Sequence, residues 1–134
     1  MQNEISLDLR LMEFDSSPDQ ITSAIGIVPT KTWKKGDLIN PKGTRQHKEN
    51  GWLISSGLSK ECDFEQHLLS LLSIINPHLD KLKEVCATCY VELSCAIYMY
   101  CESEESTPAV HLDRQTTQVL AALGAEIDFD LYVL

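Results

Sequence analysis

The sequence has no apolar run that approaches the roughly 20 residues needed to cross a bilayer. Its start, Met1-Gln2-Asn3-Glu4, lacks the positive region and the apolar stretch of a secretion signal. We therefore expect a soluble chain that stays in the cytoplasm and has no membrane partner. With 134 residues, of which 43% are hydrophobic and 23% charged, the chain is long enough for one core. We expect residues 1–134 to form a single domain.

Positive charge is also scarce. Eleven Lys and Arg stand against twenty Asp and Glu, which gives a formal net charge of −9. Such a surplus repels phosphate backbones and anionic lipid, and it favours basic partners. The charge balance therefore argues against nucleic acid and points towards a basic protein as the partner.

Signatures of catalysis are missing. The glycines do not match a P-loop or a dinucleotide fingerprint, and no serine stands in a nucleophile elbow. The histidines are scattered without paired spacing, so we interpret each as a surface or hydrogen-bonded residue. We expect no cofactor and no catalytic residue, and the pattern favours a protein that is not an enzyme. The histidines are His47, His67, His78 and His111.

Five cysteines, an odd number, are typical of free thiols in a reducing compartment. Cys86 and Cys89 have CxxC spacing, but no second pair stands at metal-ligand spacing, so we expect no metal site. The motif ends a predicted helix, where the macrodipole disfavours a thiolate. We interpret these cysteines as small buried hydrophobes, with a thiol-based sensor as the alternative.

Two periodicities predict the fold. Apolar residues alternate with polar ones at 5–11, 89–101 and 127–133, and a further strand is predicted at 52–56. Helices are predicted after the cap residues Ser17, Asp63 and Asp113, and Asn76-Pro77 is predicted to cap a restarted segment of the second helix. The polar segment 31–50 is predicted as a long loop or a loose hairpin.

These elements predict an α+β fold, an antiparallel-type sheet with helices on one face. The two ends of the chain look related, because each has a strand followed by a helix that closes at a glycine. Two strand-helix-strand halves joined by the longer central helix would give a ferredoxin-like arrangement.

If the strands pair as predicted, one polar sheet face combines carboxylates with tyrosines. Tyrosine is frequent in interfaces, and acids facing a basic partner accelerate encounter. The alternative is an ordinary solvated sheet face, because any one-sided sheet shows the same alternation. The candidate partner-binding residues are Asp8, Glu92, Tyr98, Tyr100, Glu126, Asp128, Asp130 and Tyr132.

Residues 31–48 hold six of the eleven basic residues, beside two tryptophans. This asymmetry points to a site that binds a phosphate or an acidic ligand, with an indole as a stacking platform. The alternative is a solvated hairpin whose tryptophans pack onto the sheet. The candidate ligand-binding residues are Trp33, Lys34, Lys35, Arg45, His47 and Trp52.

Short motifs occur in a fixed order along nearly the whole chain. They are Gly26-Ile27-Val28-Pro29-Thr30, Gly36-Asp37, Gly51-Trp52 with Ser55-Ser56, His67-Leu68 with Leu71-Leu72, and Leu123-Gly124 followed by Asp128 and Tyr132. As an ordered set they resemble the bacterial domain of unknown function 4279 (DUF4279) family. The resemblance implies a bacterial, single-domain α+β protein of unassigned activity, and it transfers no catalytic residue.

Small size, strong acidity and the acidic, tyrosine-bearing face favour a non-enzymatic protein-binding module. The most concrete hypothesis is an immunity-type inhibitor that neutralises a basic toxin such as a nuclease. The alternative is a small anionic ligand or phosphate-binding domain, with or without enzymatic activity, that uses the basic loop 31–52. The oligomeric state stays open, because a sheet edge also allows dimerisation by strand pairing.

Overall fold

Period-two alternation in residues 4–12 and 90–99 builds the two central strands of a five-stranded sheet. In the computed structural model, which describes residues 2–134, the apolar side chains of both strands are buried on one face. The elements in chain order are β1 (Glu4–Met12), α1 (Pro18–Ile25), β2 (Lys31–Trp33), β3 (Gly51–Ser55), α2 (Phe64–Ile75), a 3₁₀ turn (Asn76–His78), α3 (Leu79–Cys86), β4 (Tyr90–Met99), α4 (Arg114–Ala122) and β5 (Glu126–Val133).

The strands are ordered β2-β3-β1-β4-β5. β1 is antiparallel to both β3 and β4, β2 is antiparallel to β3, and β5 is parallel to β4. The first strand-helix-strand unit is β1-α1-β2, and the second runs from β3 through α2 and α3 to β4. The two units interleave in the sheet, because β3 lies between β1 and β2, and β1 lies between β3 and β4. This is the strand order of a ferredoxin-like sheet, and the predicted α+β fold with a mostly antiparallel sheet is confirmed.

The second of the two units lies elsewhere in the chain than the sequence indicated. It runs from β3 through α2 and α3 to β4, and the C-terminal α4 and β5 are an addition at the β4 edge. α4 supplies the crossover that a parallel neighbour of β4 requires. The likeness between the two chain ends reflects how their helices finish, because Gly26 and Gly124 both take a left-handed conformation with φ of 83° and 66°.

The helices cover one face of the sheet and close a single apolar core. α2 lies against β1, and α1 lies against both α3 and β3. Among residues 2–134, no helix combines the length and the apolarity that a membrane span requires. The largest fully buried core side chains are Trp52, Phe64, Leu7, Leu9, Leu11, Ile25, Leu71, Ile75, Leu82 and Leu93.

The predicted helix starts are confirmed at three of four positions. Ser17 and Asp63 each form a capping box with a glutamine three residues later, and the Asp113 carboxylate accepts the N–H of Thr116 at 2.8 Å. Asn76 does not cap a new helix, and this prediction is wrong. Its own N–H donates to the Leu72 carbonyl, so helical backbone runs through it into the 3₁₀ turn.

Trp33 lies across Gly51, its partner on the neighbouring strand. A methyl group at Gly51 would overlap the indole ring. The same ring stacks on His47, with 4.8 Å between ring centroids. Gly51 therefore gives the indole room to lie flat on the sheet, and the Trp33–His47 stack depends on that room.

We expect Gly51→Ala to lower the free energy of unfolding by about 1–3 kcal/mol, because the indole must leave its site. The measurement is urea unfolding. In a Trp33→Ala background the same substitution should cost little, because the overlapping ring is gone. An equal cost in both backgrounds would show that the contact with Trp33 is not the cause.

Candidate functional site

The open face of the sheet collects acidic residues from three strands. Arg10 of β1 faces Glu92 of β4, and Glu92 faces Glu126 of β5. Asp128 and Asp130 follow Glu126 at the next alternate positions, so they point to the same side. The strand register therefore brings together carboxylates that are far apart in the sequence.

This face carries far more negative than positive charge. Arg10 is the only Lys or Arg in β1, β4 and β5, and its guanidinium already pairs with Asp8 through Nε and Oδ1 at 2.7 Å. That hydrogen bond raises the pKa of Arg10. The charges of Glu92, which lies opposite Arg10, and of Asp130 raise the pKa of Arg10 further, so this single cation serves several carboxylates. The carboxylates of the face belong to Glu4, Asp8, Glu92, Glu126, Asp128 and Asp130.

Tyrosines lie among these carboxylates. The rings of Tyr98 and Tyr132 stack across β4 and β5 with 4.7 Å between centroids and 11° between planes. The Tyr90 hydroxyl donates to Glu92 Oε2 at 2.9 Å, and hydrogen bonds to Glu126 and Glu92 raise the pKa of Tyr90. The rings give the face flat apolar surface next to its negative charge.

The candidate partner-binding residues thus lie on one surface. Seven of them alternate on β1, β4 and β5, and Tyr100 follows the end of β4, where its hydroxyl donates to Glu4 Oε1 at 3.4 Å. Three further members were not singled out from the sequence: Glu4, Arg10 and Tyr90. Each shares strand parity with Asp8 or Glu92, so the alternation itself was the signal.

The structure divides the candidate ligand-binding residues of the basic loop. Trp52 is fully buried on the helix side of the sheet, and its Nε1 donates to Thr22 Oγ1 at 3.0 Å. Its indole is therefore a core side chain and is not open to a ligand. Trp33 and His47 do come together in the stack described above, with Lys31 Nζ 5.9 Å from the Trp33 ring.

The cations of the loop do not enclose a pocket with this stack. Lys34, Lys35 and Arg45 are exposed, and the main surface cavities of residues 2–134 are lined by other parts of the chain. The backbone N–H of Lys34 donates to Asp37 Oδ2, and that of Lys35 donates to Asn50 Oδ1, both at 2.8 Å. The loop is ordered by its own acidic and amide side chains.

A groove of about 300 Å³ lies between α2 and α4. Its floor is apolar, with Phe64, Leu68 and Val119 among its lining residues. The carboxylate of Asp113 at its rim is occupied by capping α4, and the hydrogen bond from the Thr116 backbone lowers the pKa of Asp113. The groove combines this apolar surface with the side chains of Glu65, His111 and Gln115 among its lining residues.

Ser56 and His67 form a buried polar pair. Ser56 Oγ lies 2.5 Å from His67 Nδ1, and the two residues are 5% and 1% exposed. His67 Nε2 has no hydrogen-bond partner within residues 2–134, and burial lowers the pKa of His67. His67 is therefore not a surface residue, and of its two ring nitrogens only Nδ1 has the hydrogen bond that the sequence-based interpretation expected. The pair has the spacing of a nucleophile and its base, but both residues are shielded from a substrate.

The cysteines are free thiols in a graded range of exposure. Cys86 and Cys95 are buried, Cys62 and Cys89 are half-buried, and Cys101 is exposed. Burial raises the pKa of Cys86 to about 12 and that of Cys95 to about 11. In residues 2–134 no group of three or more His, Cys, Asp or Glu is placed to hold a metal ion.

The chain belongs to the family described as domain of unknown function (DUF4279), whose model matches residues 3–134. No curated protein and no solved structure matches the chain. The family resemblance inferred from the ordered motifs is thereby confirmed over essentially the whole chain.

We expect the stability of the protein to fall as the pH drops below about 6.5, the ordinary pKa of histidine. Below that pH the unfolded chain binds a proton at His67, whereas the buried ring stays neutral because its pKa is lowered. Above about pH 6.5 the neutral His67 ring does not lower the stability, because it is unprotonated in both states. Below that pH the free energy of unfolding falls by up to about 1.4 kcal/mol per pH unit, until the pKa of His67 in the folded protein is reached. The nearby Asp63 carboxylate acts in the opposite direction.

Urea unfolding of His67→Gln between pH 5 and 7.5 checks this expectation. The variant should lose most of the slope, and His111→Gln, a matched change at an exposed histidine, should keep it. The explanation fails if His67→Gln and the parent protein show the same slope.

We also expect the thiols to react in the order of their exposure. An aromatic disulfide reagent at pH 8 should modify Cys101 first, and Cys86 and Cys95 only when the chain unfolds, because buried thiols with raised pKa values form little thiolate. Mass spectrometry of labelled peptides measures the order. Rapid labelling of Cys86 in the folded protein would instead support a thiol sensor.

Proposed function

We propose that this DUF4279 protein is a protein-binding module that holds a basic partner on the open acidic face of its sheet. In its most concrete form, the module is an immunity-type inhibitor that neutralises a basic toxin such as a nuclease. The partner's Lys and Arg side chains supply the positive charge that the face lacks.

One observation carries this proposal: six carboxylates share the open face with a single cation, Arg10, on β1, β4 and β5. Glu92 and Glu126 face each other directly on β4 and β5, and like charges in such positions destabilise a sheet. Within the chain, Arg10 and the Tyr90 hydroxyl offset part of this repulsion. Basic groups of a partner would relieve the repulsion, so complex formation gives the acidic residues a favourable role.

The tyrosines give the face a second property of an interface. Tyr98 and Tyr132 form a stacked pair next to Asp130. The strand register places all three side chains on the open face of the sheet. Rigid aromatic side chains contribute large contact area at a small entropic cost. They fit a protein partner better than a small ion.

The electrostatic field also suits rapid inhibition. The chain has a net charge of −9, and its open face carries six carboxylates against one arginine on β1, β4 and β5. This charge steers a basic protein towards the face and raises the association rate. An inhibitor must bind its toxin before the toxin acts, so a fast encounter is useful. The buried Ser56–His67 pair gives no support to a catalytic alternative.

A second candidate function rests on the Trp33–His47 stack with its neighbouring Lys31. These groups would suit an anionic ligand with a flat ring. The buried position of Trp52 and the open arrangement of Lys34, Lys35 and Arg45 make the geometry less favourable than that of the acidic face.

We expect Asp128→Asn with Asp130→Asn to weaken capture of the partner at least tenfold, because two charges of the face are removed with little change of shape. The measurement is affinity capture on the immobilised protein from cells of its source, at low and moderate salt, with mass spectrometry. One basic protein should be retained at low salt and released as salt rises.

Glu65→Gln with Glu84→Gln is the matched control, because it removes the same charge from exposed positions on α2 and α3. This control should retain the partner as well as the parent protein does. The proposal would be overturned if both double variants lost the partner equally, or if the retained protein were acidic.

A further inference from the structure

β5 is an edge strand with an open hydrogen-bonding side. The Leu134 N–H donates to the Met99 carbonyl, and the Leu134 carbonyl accepts from the Cys101 N–H. The N–H and C=O groups of residue 134 therefore both point towards β4. Because a strand has a period of two residues, the N–H and C=O groups of residues 126, 128, 130 and 132 also point towards β4. The backbone groups of the odd-numbered residues point outwards. Within residues 2–134 no hydrogen bond reaches those of Ile127, Phe129, Leu131 or Val133.

The side chains of the same odd-numbered residues are apolar and at least one-third exposed, although the Phe129 ring packs against Phe64 of α2 with 6.0 Å between ring centroids. They lie on the helix side of the sheet, yet α4 does not shield them: Ile127 is 42% exposed, Phe129 36%, Leu131 61% and Val133 68%. Long apolar edge strands are uncommon on isolated proteins because they invite pairing with another chain. The apolar row and the open backbone thus coincide on one strand.

The even-numbered residues of β5 add a charge pattern. Glu126, Asp128 and Asp130 stand at alternate positions on the open face. A strand laid along β5 would place its own alternate side chains beside this acidic row and the remaining ones beside the apolar row. The chemistry of the incoming strand is thereby specified on both faces.

A second copy of the chain fits this edge poorly. In a two-fold antiparallel pair that overlaps along most of β5, centred on Phe129 or Asp130, an aspartate of one copy faces an aspartate of the other. Like charges directly opposite each other destabilise such a pair. A pair centred on Leu131 avoids this contact but joins fewer residues of β5. A strand that brings positive charge is favoured instead.

We infer that β5 takes up an extended segment of the basic partner as a sixth strand, a segment in which basic and apolar residues alternate. This inference rests on the proposed function and specifies how the partner is recognised. Backbone hydrogen bonds to the odd-numbered residues hold the segment, its apolar side chains cover Phe129 and Leu131, and its Lys or Arg side chains face Asp128 and Asp130.

The first test uses a capped peptide of four Lys-Val repeats as the probe, against a peptide of four Lys followed by four Val. In 50 mM salt, the alternating peptide should slow hydrogen exchange of the outward amides at 127, 129, 131 and 133 at least tenfold. The block peptide should not. Exchange is followed by NMR, and the amides of β4 report that the fold is intact.

Two methylated forms of the alternating peptide test the hydrogen bonds. Methyl groups on the valine amides block an antiparallel strand, because residues paired across strands share a face. Methyl groups on the lysine amides block a parallel strand. Binding should weaken at least tenfold for one of these peptides only. Equal binding of the parent and both methylated peptides, or equal weakening of both methylated ones, overturns the inference.

Leu131→Pro tests the same contact from the protein side, because it removes an outward N–H and leaves the bonds to β4. Leu131→Thr keeps that N–H and is the matched control. The proline variant should bind the alternating peptide at least tenfold more weakly than the threonine variant. Equal binding by the two variants contradicts strand addition.

The remaining outcomes separate this inference from the proposed function. If both peptides shift signals of Asp128 and Tyr98 without protecting the edge amides, strand addition fails and the acidic face stands as the binding surface. If neither peptide affects the face, both ideas fail. A free protein that is dimeric, with its edge amides already protected, overturns the inference in favour of a second copy.

Discussion

The packing of apolar side chains under β1 and β4 directs the charged residues of these two strands to the open face. Leu7 and Leu9 are almost fully buried, so Asp8 between them must point away from the helices. A slip of one residue would carry Asp8 and Arg10 into the core, and the desolvation cost forbids it. The acidic residues of β1 and β4 are therefore directed to the open face by the hydrophobic core on the other side of the sheet, and their few contacts with Arg10 and the tyrosines come in addition.

The strand and cap patterns predicted the other strands and three helix starts, but not the short β2 within the predicted loop or hairpin. They also predicted the composition of the open face, because side-chain parity follows from alternation alone. The sequence pattern did not show which side of the sheet Trp52 faces, nor that β5 would be an exposed edge strand. Trp52 stands in the continuous apolar run 52–54, where parity gives no direction. β5 alternates as clearly as β4, and only the reach of the covering helices leaves it exposed. His67, by contrast, lies in helical register with Phe64 and Leu71, so its burial was readable from the sequence.

The C-terminal α4 and β5 bring acidic residues, a stacked tyrosine and an open strand edge together at one side of the sheet. The ferredoxin-like sheet from β1 to β4 supplies the core, and α4 with β5 extends it by one parallel strand. β5 contributes three of the carboxylates and one partner of the tyrosine stack, and its outer edge is open. A partner that contacts the acidic face can therefore also reach an unpaired strand. Recognition by charge and recognition by backbone pairing meet on the same eight residues.

Photo-crosslinking in cells of its source tests the central claim, that the open sheet face is the surface that binds a basic protein. In one variant a photoreactive phenylalanine replaces Tyr132 on the open face, and in a second variant it replaces Glu84 on the helix side. The account predicts a crosslink from position 132 to one basic protein, and none to that protein from position 84. Crosslinks from position 84 alone, or from position 132 to an acidic protein, would contradict it.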